Sequence, residues 1–517
     1  MKFKFAVSMT LIVALVLLDS GCTAARVVRT PAPRNPDELA REVIVGVTTI
    51  RGEEISFDDP GGTITGEAIE ARVEGQPRKF PLSDLTHVWL MKRHLTSGAK
   101  AAIGAGIAAA AVVAVVAVRA LSSKSAPAPT TTGQSSCPYV YSWDGSQYVL
   151  DGEPYGGAIA RGLAREDWSE LTHIRDAGGE YRVLMTNEAE ETQNTDLAEL
   201  WIADHPAGVR VVADDNGNLV GLSNIRPLLK AQDRTGRDIT EWLIATDRRI
   251  WEPEPVPDPD GGLESEIILT FPKPTGTGEA WLVANSTTAM WGSLLMKQIL
   301  SLPGRDADHW LDSLDTNFFR AASVYRWVDR EQTFLLKVDV EEASGWKTRG
   351  SIFGGGPMAA ENHAVPLDVR GASGDFLRVR LRPPRGFWAL NSFEVSYHSA
   401  GRVPFTRVAA QSALTSDARD VRKELASADG VYYSMSEVGN SAILRYKTPP
   451  LRPGMERTVF LHSAGWYRMH LGATGASDVG AFNEILDTPG GVARFAASRY
   501  GAQRTASRSQ DRGGGKP

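Results

Sequence analysis

Three carboxylates within ten residues, Asp144, Asp151 and Glu153, are the side chains whose type and spacing come nearest to chemistry in this sequence. With a loop carbonyl they have the hard-oxygen character of a Ca²⁺ site, which needs about six to eight oxygen ligands. Asp214-Asp215-Asn216-Gly217-Asn218 resembles part of a calcium loop but lacks the spaced ligands and terminal Glu of an EF-hand. Asp-Gly and Asn-Gly are also the commonest hairpin turn pairs. The turn reading is therefore preferred at both places, and no metal or other cofactor is expected.

The nine histidines are scattered. His462 and His470 sit eight positions apart, on segments read as a strand, a turn and a second strand, and a structural role is expected for both. Cys137 has neither a CxxC partner nor a paired histidine and reads as a small buried residue. HExxH, GxxxxGK[ST] and GxSxG are all missing, so no zincin, Walker or nucleophile-elbow chemistry is indicated. Carboxylates are abundant, but the acid and base pair of a glycosidase is assembled in space, not by spacing. No catalytic residue is assigned.

Net charge is −6 with no basic stripe, so nucleic acid is not an expected partner. The 517 residues suit roughly three or four domains. Fifty glycines and 29 prolines fit many turns between short strands.

The chain begins with Lys2 and Lys4 and then runs apolar over residues 5–18. This has the charge order of a secretory signal and is short for a bilayer span. Leu18-Asp19-Ser20-Gly21-Cys22 then resembles a lipobox, which implies cleavage after residue 21 and diacylglycerol on the Cys22 thiol. Asp19 stands where that pattern has an aliphatic residue. Residues 22–37 read as a tether. Residues 101–118 carry no charge, between Lys100 and Arg119, and lie in a candidate transmembrane helix at 100–121. Nine of the eighteen are Ala and two are Gly, which weakens the drive to insert. An acylated Cys22 outside and a full span of the same membrane would put the remainder in the cytoplasm. Two alternatives stay open: the segment is not a span, or Cys22 is not acylated.

Between these segments, residues 38–95 show short strands with turns and resemble small SH3-like or Sm-like barrels. Residues 122–136 form a Ser, Ala, Pro and Thr linker. Residues 137–286 read as β-rich, opening on Cys-Pro-x-Val-Tyr-Ser-x-Asp-Gly and Asp-Gly-Glu-Pro-Tyr-Gly-Gly-Ala at 137–158, with Asn-Glu-x-x-Glu-Thr-Gln at 187–193. Those motifs resemble a family of uncharacterised bacterial lipoproteins, a likeness that covers about 90 residues and implies no activity. Residues 251–262 read as an exposed, acidic, proline-rich loop. Residues 287–330 have helical spacing, with Trp and Met on a core face. Residues 331–400 read as about seven strands, a β-sandwich. Its Leu-Arg-Val-Arg-Leu and Gly-Phe-Trp runs resemble galactose-binding-like, discoidin-type jelly rolls, although Trp346, Phe387 and Trp388 are assigned to the core. Residues 401–490 are β-rich, and 491–517 read as a disordered tail.

The expected molecule is a mainly β, multidomain lipoprotein of the bacterial envelope, periplasmic or outer-membrane associated. Its partners would be the membrane, through an acyl anchor and one candidate helix, and an envelope protein or glycan. The expected function is non-catalytic binding or assembly. The alternative is a glycan-active enzyme with an unrecognised carboxylate site, which would show a concave pocket with facing carboxylates.

Overall fold

The computed structural model describes residues 23–95 and 137–501, except 34, 35, 40, 41, 52, 59, 60, 74, 248, 258–261, 264 and 473–476. The export signal, Cys22, the 101–118 segment, the Ser/Pro linker and residues beyond 501 lie outside the described residues. Among the described residues no helix is long and apolar enough to cross a membrane. The architecture is mainly β, as expected.

The N-terminal unit has seven strands: β1 (Thr23–Pro31), β2 (Val43–Thr49), β3 (Glu54–Ser56), β4 (Thr63–Thr65), β5 (Ala68–Val73), β6 (Gln76–Pro81) and β7 (Leu85–Leu95). They form two sheets, β1-β7-β2-β3 and β4-β5-β6, around Ile44, Val47, Phe57, Ile69, Phe80 and Val88. The tether reading is corrected over Thr23–Pro31: this segment pairs with β7 along its whole length, from Thr23 opposite Leu95 to Pro31 opposite His87. Its β-branched Val27, Val28 and Thr30 suit a sheet better than a solvated spacer.

Beyond residue 137 the strands are β8 (Tyr139–Trp143), β9 (Tyr148–Gly152), β10 (Arg165–Glu170), β11 (Glu180–Thr186), β12 (Glu191–Pro206), β13 (Arg210–Ala213), β14 (Leu219–Ser223), β15 (Arg226–Pro227), β16 (Lys230–Asp233), β17 (Ile267–Pro272) and β18 (Glu279–Thr288). Helices Met290–Ser301, Ala307–Thr316 and Phe318–Glu331 come next, where the helical spacing places them. Then come β19 (Leu335–Glu342), β20 (Gly345–Phe353), β21 (Glu361–Asp368), β22 (Phe376–Leu381), β23 (Trp388–Ser396), β24 (His398–Arg402), β25 (Thr406–Ala409), β26 (Ser412–Thr415), β27 (Tyr433–Met435), β28 (Ser441–Lys447) and β29 (Met455–Met469).

These strands build two sandwiches, one inserted into the other. The first packs sheet β26-β28-β11-β8-β9 on sheet β10-β29-β12-β25, with β27 also on β12. Its core includes Val183, Met185, Leu200, Leu444, Tyr446 and Leu461. The second packs β15-β23-β18-β21 on β16-β17-β22-β19-β20, around Leu269, Phe271, Leu282, Val338, Val379 and Phe393. Each such side chain stabilises the fold by roughly 1.5–3 kcal/mol on burial. All of the second sandwich lies in sequence between β12 and β25. The two crossings pair as a small third sheet, β13-β14-β24. Its side chains alternate: Val211, Ala213 and Leu219 meet Trp201 and Phe460 of the first sandwich, while Val212, Val220 and Leu222 meet Val283 and Ala364 of the second.

The expected boundaries at 286 and 330 therefore do not divide the sheets. Residues 331–400 supply five strands to the second sandwich, not seven, and need β15–β18 to complete it. The reading of a disordered tail from 491 is also corrected. The chain is helical to Gly501, with Val492 and Ala496 buried four positions apart. Glu331 accepts from the backbone N–H groups of Gly490 (3.1 Å) and Val492 (3.4 Å), satisfying donors at the helix start.

Candidate functional site

The carboxylates singled out by the sequence do not converge; each serves its own turn or contact. Asp144 Oδ1 accepts from the Ser146 and Gln147 amides at 2.7 and 2.8 Å, closing the β8–β9 hairpin, and these bonds lower its pKa. Asp151 accepts from Thr172 Oγ1 (2.8 Å) and the His173 amide (3.1 Å). Glu153 is fully buried and accepts from the Met358 amide at 2.6 Å. Asp214 Oδ1 accepts from the Asn216 and Asn218 amides at 2.9 and 2.8 Å, which makes 214–218 the β13–β14 turn. Among the described residues no three His, Cys, Asp or Glu are grouped to hold a metal ion.

The Gly-Glu-Pro-Tyr-Gly-Gly motif joins the two sandwiches. The Gly356 amide donates to the Glu153 carbonyl at 2.9 Å. A Cβ on Gly156 would lie 2.4 Å from the Gly354 carbonyl oxygen, and one on Gly356 would lie 2.1 Å from Glu153 Cδ. Glycine thus suits both sides: at Gly156 two backbones touch, and at Gly356 the buried Glu153 side chain occupies the space of a Cβ. Glu361 Oε1 closes the same joint, accepting from the Glu153 amide (3.0 Å) and Ser169 Oγ (3.2 Å). Burial pushes its carboxyl up to about 7.

His462 and His470 part company. Residues 455–469 form one continuous strand, β29, which corrects the expected turn between the two. His462 lies buried on the outer face of the first sandwich, with a carboxylate on each ring nitrogen: Glu199 Oε1 at Nδ1 and Glu166 Oε2 at Nε2, both 3.0 Å. Trp168 stacks on the ring at 5.1 Å between centroids. His470 is at the surface, 2.9 Å from Thr192 Oγ1. Phe387 and Trp388 are core, as expected. Trp346 is not: it lies on the outer face of the second sandwich with the Arg380 guanidinium 4.7 Å from its ring centre.

A cavity of about 460 Å³ opens on the second sandwich, in a place the sequence did not single out. One rim is the hairpin after β16. Asp233 Oδ1 accepts from Thr235 Oγ1 (2.7 Å), the Thr235 amide (2.9 Å) and the Arg237 amide (3.1 Å), and so presents Arg234 and Arg237. Asp238 then turns the chain ahead of the short helix Thr240–Leu243, accepting from the Thr240 amide at 2.9 Å. Leu243 enters the core and Trp242 lines the cavity. Trp251 is fixed to β23 by reciprocal backbone bonds with Leu390, at 2.8 and 3.0 Å. After it Pro253 and Pro257, with Glu252 and Glu254, form the opposite wall.

Arg385, Glu266 and Ser265 also line the cavity. Glu266 lies 3.7 Å from Arg380. Ser265 is 3% exposed and its hydroxyl has no hydrogen-bond partner. Although Glu252 as a residue is exposed, the cavity walls remove part of its carboxyl's water and raise its pKa. Two tryptophans beside guanidinium and carboxylate groups in an open cleft can stack on a ring and bind its polar substituents. The signal that could have found this site is the pair of tryptophans, nine positions apart, followed at once by an alternating Glu-Pro run.

No family model matches the chain, and no curated protein sequence matches it. Among solved structures it is similar to a beta-porphyranase of glycoside hydrolase family 86 from the human gut bacterium Bacteroides plebeius, at 9% identity and a TM-score of 0.15. That likeness covers 47% of this chain and 37% of the other, so the chain spans little more than a third of the enzyme's length. A likeness at that score carries no functional weight.

Proposed function

We propose that this chain is an envelope lipoprotein that binds a saccharide, without transforming it, in the cavity of its second sandwich. The observation that carries the reading is Trp242 and Trp251 lining one open cavity of about 460 Å³ together with exposed Arg and Glu side chains. An indole face packs on the C–H face of a pyranose, and charged side chains take its hydroxyls. The export signal and Cys22 supply location at the membrane.

One observation favours the enzymatic alternative: Glu252, its carboxyl pKa raised, shares the cavity with Glu254 and Glu266. A raised carboxyl is what a general acid requires. Glycan-array binding and a turnover assay on the detergent-solubilised full chain separate the two. The expected result is binding that weakens in Trp242→Ala, with no product released. Hydrolysis by the wild type that is lost in Glu252→Gln would replace binding with catalysis.

A further inference from the structure

If the cavity holds a saccharide, its carboxylates bear on the charge of that sugar; the inference rests on the saccharide reading. These carboxylates are not equivalent. Asp233 is held by its own hairpin, and Glu266 faces Arg380. Glu252 and Glu254 are different: among the described residues neither side chain has a hydrogen-bond donor or a cation as partner. Pro253 lies between them with its φ fixed, so both carboxylates start from a stiff piece of backbone on one wall.

The rest of the wall points the same way. Burial alone raises the Glu252 carboxyl, with no cation offsetting it. A partly dehydrated carboxylate of this kind gains most from a ligand that brings both a proton donor and a positive charge. Trp242 and Trp251 add ring faces that attract cations. The unpartnered hydroxyl of Ser265 is a further polar group awaiting a partner. A uronic acid would meet like charge at Glu252 and Glu254, and only Arg234, Arg237 and Arg385 of the same cavity could receive its carboxylate.

We propose that the cavity takes an amino sugar, an oligosaccharide carrying free ammonium groups, with Glu252 and Glu254 receiving the ammonium beside Trp242 and Trp251. The test is calorimetric titration of the detergent-solubilised full chain with three probes: chitosan oligosaccharide (free amine), chitin oligosaccharide (the same backbone, acetylated) and oligogalacturonate (acidic). The amine form is expected to bind at least about tenfold more tightly than the acetylated form, a difference of about 1.4 kcal/mol. Glu252→Gln is expected to remove most of that preference, the amine form losing far more affinity than the acetylated form. Glu437→Gln, an exposed carboxylate on the first sandwich, controls for general attraction to a polycation and is expected to change nothing. Equal affinity for amine and acetylated forms, a preference for the acid, or equal loss in Glu437→Gln would overturn the charge assignment while leaving a saccharide site standing. No binding of any of the three would remove both.

Discussion

The Nδ1 of His462 lies 3.0 Å from Oε1 of Glu199 across the β12–β29 pair. With Glu166 on the other nitrogen, both ring nitrogens need a proton, so the site is built for imidazolium. The two carboxylates raise the His462 pKa against the opposing effect of burial, and Arg407 stands 3.9 Å from Glu199. A raised histidine stabilises the fold fully below its ordinary value of about 6.5, and the contribution fades as pH rises through the folded value. The Glu199 pKa is lowered, so its share fades in acid. His462→Ala is expected to cost about 3 kcal/mol near pH 6, and the gap to wild type should narrow by pH 9. Urea unfolding at both pH values measures it; a gap independent of pH would refute the charged clamp.

Glu191 and Glu361 are buried carboxyls, each pushed up to about 7 by loss of water. Being raised, they cost nothing below the ordinary carboxyl value of 4.5; their penalty grows from there to about 7 and is constant above it. Glu361→Gln keeps an acceptor for the Glu153 amide and has no charge to bury. It should be near neutral at pH 4 and stabilising by up to about 3 kcal/mol from pH 7 upward, read as a rise in Tm that develops between those two pH values and then stays level.

Gly156→Ala should unfold or loosen the joint between the sandwiches, because its Cβ would meet backbone that cannot swing aside. A loss of about 3 kcal/mol or more is expected. Gly145→Ala, at φ +102° with nothing within 4 Å of a new Cβ, should cost only about 1 kcal/mol. Similar costs for the two would mean that close backbone approach is not what the motif protects.

Anchoring is tested by labelling cells with a palmitate analogue. The wild type should take label and Cys22→Ser should not, with the variant moving to the soluble fraction. Label that survives the substitution would put the acyl chain elsewhere. Protease access to residues 137–501 in spheroplasts then reports their side of the membrane.

Much of the fold is legible in local patterns, and its failures share a cause. Leu295, Met296, Ile299 and Leu300 have helical spacing and lie on the buried face of a helix; Tyr139–Trp143 and Tyr148–Gly152 alternate around Asp144-Gly145 and form a hairpin. Ser463-Ala464-Gly465 has the composition of a turn yet lies inside β29. Gly465 is there because a Cβ would strike the Asn194 carbonyl oxygen at 2.3 Å and the Tyr155 ring at 2.8 Å, neighbours hundreds of residues away that no window reveals. The cavity was hidden in the same way: Trp251 is positioned by Leu390, far along the chain.

The insertion of one sandwich into the other has a consequence for how the molecule is made. β12 must wait for β29, whose first residue comes about 250 positions after its last, so the outer module stays half-built until nearly the whole polypeptide has emerged. The inner module, contiguous from β15 to β23, can close first. It would then hold β13 and β14 against the arriving β24, bringing the second half of the outer module to the first and shortening the effective loop to be closed. Slow, late protection of β12 amides after complete protection of β18, in pulsed hydrogen exchange during refolding, is the kinetic signature of that order.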